Sequence, residues 1–194
     1  MTPLPYAWPY AFVFWGVFLW AFAPEASIIR KARRAAGASD AKSIQVISYG
    51  MWGAFFAAFP LAWVPALRFP ARYRVAAFWF GVALLVASSL LRRHCFRMLG
   101  ASFTGDVRAS SDQVVVTRGA YAILRHPSYT AGILLHTSIG IALGSWFSAA
   151  LLAAASFAVY SYRIAVEERA LLAAIGEPYR RFMSTRKRLI PFVY

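Results

Sequence analysis

The sequence predicts an all-α integral membrane protein of about five transmembrane helices, with a cytosolic cofactor pocket formed by its C-terminal half. Three observations predict it. Of 194 residues, 60% are hydrophobic and only 14% charged; mean hydropathy is +0.54; and basic residues collect in alternate loops between apolar runs. Soluble domains are nearer half apolar and a quarter charged. An aromatic content of 17% excludes a disordered chain, and the single cysteine, Cys95, excludes a disulfide scaffold. The formal charge of +14, from 21 Lys and Arg against 7 Asp and Glu, would suit nucleic acid in a soluble chain. In so apolar a chain it reads as cytosolic loops touching anionic lipid headgroups, with no nucleic acid.

The runs follow in order. The first, Tyr6 to Pro24, is too long and aromatic for a cleaved signal. The second, Ile44 to Leu67, carries Pro60 and Pro65, which should kink or thin its far end. The third, Val75 to Leu91, is bracketed by Arg72, Arg74, Arg92 and Arg93. A fourth runs from Tyr129 to Leu143. The fifth, Phe147 to Ile164, continues as helix to Ile175, with only Gly144-Ser145-Trp146 between these last two. A tight antiparallel hairpin is expected there. Beyond it, Glu177 to Arg188 reads as a basic helix on the membrane surface.

Lys and Arg gather after runs one, three and five, so the positive-inside rule predicts an outer N-terminus and a cytosolic C-terminus. The loop holding Arg68, Arg72 and Arg74 opposes that rule, and leaves open a re-entrant second run. The whole chain, 1–194, reads as one domain. Residues 1–91 form a membrane scaffold, and residues 92–194 carry nearly all the informative polar groups.

In that second half, Gln113 to Tyr121 holds a short β-branched run ending at a Gly turn, suited to an extended strand at the cytosolic surface. Arg125-His126-Pro127-Ser128-Tyr129 follows. Pro127 disfavours the α region for His126 and suits a first helical position. His126 should therefore stand at the mouth of the fourth helix, where free N–H groups favour an anion. A plain helix-entry turn with a basic anchor fits the spacing equally well. Arg163 and Glu167 lie one helical turn apart on one face, beside Glu168. Charges at a membrane boundary face a polar cavity or a partner; a surface ion pair at the helix exit is the bland alternative. Gly132, His136, Gly140 and Gly144 form a stripe for close helix approach. Arg92, Arg93, His94 and Arg97 read as a topology determinant and headgroup anchor, with contact to an anionic ligand as the alternative. No metal-ligand spacing, Walker loop, dinucleotide fingerprint or serine elbow is present.

Taken in order, Leu99-Gly100 with Phe103, Val114–Val116, Gly119-Ala120-Tyr121, Arg125–Tyr129, Glu167-Glu168 with Leu171, Gly176 with Tyr179, and Leu189-Ile190-Pro191-Phe192 resemble the isoprenylcysteine carboxyl methyltransferase family. Related phospholipid N-methyltransferases share much of the pattern. The resemblance covers Leu99 to the end, with Ala131-Gly132 as one departure and only a loose match near Asp106. It implies S-adenosyl-L-methionine as methyl donor and S-adenosyl-L-homocysteine as product. The implied donor contacts are Gln113, Val114, Val115, Val116, Tyr121, His126, Pro127, Ser128, Tyr129 and Glu167. It gives Arg163 the acceptor carboxylate, and Arg163 and Glu167 the catalytic roles. The implied partner is a lipophilic small-molecule or prenylated acceptor, reached through the membrane. The sequence does not fix the oligomeric state. Rival readings are a phospholipid N-methyltransferase, an NADPH-dependent sterol-type reductase, and a non-enzymatic scaffold or transporter.

Overall fold

A computed structural model describes residues 2–35, 41–100 and 115–190. Among these the regular structure is helical: α1 (Tyr10–Ala35), α2 (Ala41–Leu61), α3 (Arg74–Leu99), α4 (Pro127–Ala142), α5 (Trp146–Ile175) and α6 (Glu177–Thr185), with short 3-10 turns between. A helix satisfies its own backbone hydrogen bonds, which suits a chain this apolar in lipid. Among the described residues two helical stretches are long and apolar enough to cross a membrane, Ala71–Leu99 and Trp146–Ile175, and Tyr10–Ala23 is a shorter apolar stretch. The 16 residues of α4 reach about 24 Å, somewhat short of the ~30 Å hydrocarbon core.

The second run ends early. α2 stops at Leu61, one residue beyond Pro60, and Pro65 opens a separate 3-10 turn. The carbonyls left at this end are capped by Arg68, whose Nε donates to Ala62 O at 2.7 Å and Nη2 to Trp63 O at 2.5 Å. Arg74 likewise donates to Thr2 O. These basic groups are therefore tied to the backbone, and a cation suits a helix C-terminus.

α3 packs on α4, and α5 packs on both α4 and α2. The core between them holds Phe14, Phe78, Leu85, Leu135, Ile139, Leu143 and Leu152, with Trp15, Phe18, Phe22, Phe55 and Phe59 against it. Small residues set the spacing. A Cβ added at Gly81 would meet the Ala142 side chain at 2.8 Å, and one at Gly140 would collide with the backbone of Ser148 and Ala149. The α4–α5 hairpin turns at Gly144, with φ +76°, and Ser145 caps α5 by accepting from Ser148 N at 3.1 Å. Gly-striped packing and a tight hairpin are thus both observed.

The strand expected over Gln113–Tyr121 is not found among the described residues. Residues 115–117 are irregular and Gly119–Ala122 coils into a 3-10 turn. The backbone pairing in this region is instead one parallel bridge, Leu124 to Lys187. Among the described residues, 115–117 have no ladder partner to hold them extended, so their propensity is overridden.

Candidate active site

The entrance of α4 and the exit of α5 come together. His126 is the N-cap of α4, with φ −127° and ψ 57°, outside the α region, and Pro127 is the first helical residue. The tyrosine one turn on, Tyr129, donates its hydroxyl to Glu167 Oε2 at 2.7 Å. Arg163 faces the same hydroxyl, so the i, i+4 pair on α5 converges on one α4 side chain. The rings of His126 and Tyr129 stack at 5.6 Å between centroids, and Tyr129 stacks on Tyr160 at 4.9 Å. Gly132 makes room for this: a Cβ there would lie 2.6 Å from the Tyr160 hydroxyl.

Glu168, next to Glu167, points elsewhere, as consecutive helix residues must. Its carboxylate is only 3% exposed. It meets Arg125 Nη1 at 2.7 Å, His126 Nε2 at 3.2 Å, and Arg188 through Nη2 at 3.0 Å and Nε at 3.1 Å. Arg188 belongs to a strap that follows α6. Arg125 N and His126 N donate to Lys187 O and Arg188 O at 2.8 and 3.1 Å, and Thr130 Oγ1 donates to Leu189 O at 2.7 Å. Tyr129 N and Thr130 N both close on His126 O. The expectation of several free N–H groups at this helix start is therefore corrected. Pro127 has none, the others named are taken, and the entrance leaves at most the Ser128 amide for an anion.

α3 completes the cluster with a residue read from sequence as a headgroup anchor. Arg92 is buried; its Nη1 donates to Ser128 O at 2.6 Å and its guanidinium lies over the rings of Phe96 and Tyr160. Arg93, by contrast, stays at the surface against Trp20, 4.4 Å from its ring. Nothing in the local sequence separates the two arginines, because the difference lies in what α4 and α5 bring to the Arg92 face.

Of the predicted donor contacts, Tyr121, His126, Pro127 and Ser128 are buried, while Val115, Val116, Tyr129 and Glu167 are half-buried. Gln113 and Val114 lie outside the described residues, as do Phe103, Asp106, Arg108, Pro191 and Phe192. Tyr121 is notable: its hydroxyl is buried without a well-formed hydrogen bond, and Ser128 is its polar neighbour. Burial pushes this phenol's pKa up, with Glu167 adding to the rise, so the group is a neutral hydroxyl. An orphaned buried hydroxyl is costly unless something pairs with it. Among the described residues no group of three or more His, Cys, Asp or Glu side chains is arranged to hold a metal ion.

The model of the isoprenylcysteine carboxyl methyltransferase family matches residues 81–173, which run from mid-α3 through the exit of α5. Over that stretch the chain is similar to this family. Similar proteins include the protein-S-isoprenylcysteine O-methyltransferase of Dictyostelium discoideum, 28% identical over 134 residues, covering 68% of this chain and 56% of that protein. The B form from Arabidopsis thaliana is 28% identical over 116 residues, 59% of each chain. That of Tribolium castaneum is 30% identical over 115 residues, 58% of this chain and 41% of that one. This chain thus spans about half the length of these relatives. A solved eukaryotic intramembrane Ras methyltransferase of the isoprenylcysteine carboxyl methyltransferase family is similar over 93% of this chain and 67% of that one. The TM-score is 0.63, at 25% identity. The all-helical membrane fold is therefore that of the isoprenylcysteine carboxyl methyltransferases, and the family segment contains Arg92, Tyr121, His126, Tyr129, Arg163, Glu167 and Glu168.

Proposed function

We propose that this protein is an S-adenosylmethionine-dependent methyltransferase that esterifies the carboxylate of an isoprenylcysteine-like lipophilic acceptor at the membrane. The observation that carries this reading is the convergence of Glu167 and Arg163 on Tyr129, beside the orphaned hydroxyl of Tyr121. A bound donor would supply an electrophilic methyl group on a sulfonium, chemistry that needs no metal and no nucleophilic side chain.

The protein's own residues then have three tasks. Glu167 lies where a carboxylate can face a cationic ligand, and Tyr129 fixes its orientation through the 2.7 Å hydrogen bond. Tyr121 and Ser128 offer hydroxyls to the ligand's polar edges, which would satisfy the phenol left unpaired by the protein. Arg163, 5% exposed on the same face as Glu167, offers a forked guanidinium that can grip an acceptor carboxylate in a bidentate way. A carboxylate is already ionised and nucleophilic near neutral pH, so no general base is required; an amine acceptor would need one. The apolar helices around the cluster exclude water, and positioning together with desolvation lowers the barrier by several kcal/mol.

In this reading five helices cross the bilayer, the N-terminus lies outside, and the site opens to the cytosolic leaflet. The larger Lys and Arg groups after runs one, three and five support that orientation over the three arginines of the opposite loop, Arg68, Arg72 and Arg74. The acceptor is a prenylated protein terminus or a small prenyl thioether acid, entering from the lipid. Calorimetric titration in detergent with adenosylhomocysteine and, separately, NADPH tests the reading. Binding of the former that is lost in Glu167→Ala is expected. Binding of NADPH alone would favour a reductase, and binding of neither would favour a scaffold.

A further inference from the structure

The two neighbouring glutamates divide their work, and the reading above uses only one of them. Glu168 is the more buried, and its carboxylate joins three chain segments: Arg125 and His126 before α4, its own helix α5, and Arg188 in the strap after α6. The strap is zipped by its backbone to the same place, through Lys187 O, Arg188 O and Leu189 O, and Leu189 is almost fully buried. Arg186 adds a bond to Ala122 O at 3.2 Å. The site entrance is therefore made from residues more than sixty positions apart, and Glu168 is the one acidic group among the described residues shared by all of its cations.

We propose that Glu168 is a positioning residue for methyl transfer: by gripping Arg188 and His126 together, it seats the 186–189 strap across the α4 entrance and fixes the His126 ring against Tyr129. This rests on the methyl-transfer reading. The geometry supplies the reason. His126 Nε2 faces a carboxylate oxygen at 3.2 Å, which requires the proton on Nε2, because two acceptors would repel. Nδ1 is then the ring nitrogen left for a ligand. The ring lies nearly parallel to Tyr129, at 15°, and Glu167 holds the Tyr129 hydroxyl. Glu167 thus fixes one ring of the stacked pair and Glu168 the other. Without Glu168, the largely buried Arg125 guanidinium and the partly exposed Arg188 guanidinium would lose the carboxylate they share, and strap and ring would both shift.

The test measures adenosylhomocysteine affinity by calorimetry in detergent, together with the His126 ring-nitrogen NMR signals, on the full-length protein. Glu168→Leu should weaken affinity by about 30-fold or more, and Arg188→Met by roughly tenfold, the scale expected when one partner of a buried charged contact is lost. Glu168→Asp should recover most of the affinity. In Arg188→Met the Nε2 proton signal should broaden or move. The double variant Glu168→Leu with Arg188→Met should be little worse than Glu168→Leu alone, since both act through one contact. Arg180→Gln, an exposed member of an i, i+3 pair with Glu177, should bind as the parent protein does. If Glu168→Leu fails to fold, the Arg188→Met and Glu168→Asp measurements still decide. Unchanged affinity and unchanged His126 signals in these variants overturn the inference alone, as does full additivity in the double variant. A parent protein that binds no adenosylhomocysteine overturns the methyl-transfer reading, and this inference with it.

Discussion

The α4–α5 pair is held together differently at its two ends. At the hairpin end, contact is between backbones: Gly140 lies against Ser148 and Ala149, Gly144 turns the chain, and Ser145 bonds both Ser148 N and Leu67 O. At the other end, bulky side chains meet between the helices. Tyr129, Tyr160, His126, Arg163, Glu167 and Glu168 fill the gap with rings and charge. Close packing in lipid gains from small residues and dispersion contacts, whereas a site for a polar ligand needs room and preorganised charge. One helix pair supplies both, with backbone contact at one end and rings and charge between the helices at the other.

Substitutions at the two ends should therefore separate stability from chemistry. The largest effect is expected for Arg163→Ala, which should reduce methyl transfer by at least about 100-fold, on the scale of roughly 3 kcal/mol for one lost partner of a buried charged contact. Donor affinity should persist. Collapse of adenosylhomocysteine binding in this variant, with acceptor affinity intact, would reverse the roles given to Arg163 and Glu167. Next, Gly140→Val forces a branched side chain into the Ser148–Ala149 backbone. It should destabilise the fold by about 1–3 kcal/mol, read as a lower Tm in detergent, while the folded fraction keeps its donor affinity. An equal loss of affinity per folded molecule would show that the two ends are not separable. A double-mutant cycle on Tyr129→Phe and Glu167→Gln should give a coupling of about 1.5 kcal/mol in adenosylhomocysteine binding, the usual worth of a hydrogen bond to a charged group. Additive penalties would mean that the 2.7 Å contact does not orient Glu167. The smallest effect is Ser145→Ala, which removes the α5 cap and should cost about 1 kcal/mol of stability with turnover unaltered.

The same contrast governs how much could be read from sequence. The hairpin end was legible because its cause is local: a four-residue glycine period and a three-residue connection. The early end of α2 was legible in Pro60, and the non-helical His126 in the proline that follows it. At the polar end, spacing placed Arg163 and Glu167 on one face, which the shared approach to Tyr129 bears out. The partners of Glu168 were not legible, since Arg125 and His126 stand 43 and 42 positions before it and Arg188 stands 20 after. No periodicity encodes such a contact. Arg92 could not be told from its neighbours for a related reason: a basic run at a helix exit looks alike residue by residue, and only packing buries one member under Ser128 and Tyr160. The β-branched run misled in the opposite sense. Its propensity was real, but the described backbone pairing in the region joins residues 124–126 to Lys187 and Arg188 instead.

One measurement bears on the central claim more directly than any other: transfer of a labelled methyl group from S-adenosylmethionine, by the purified protein in lipid, to a prenylcysteine analogue and to a total membrane lipid extract. The account predicts label on the prenylcysteine carboxyl as a base-labile ester, with Arg163→Ala inactive. Base-stable label on a lipid amine, or no transfer to either acceptor, would contradict it.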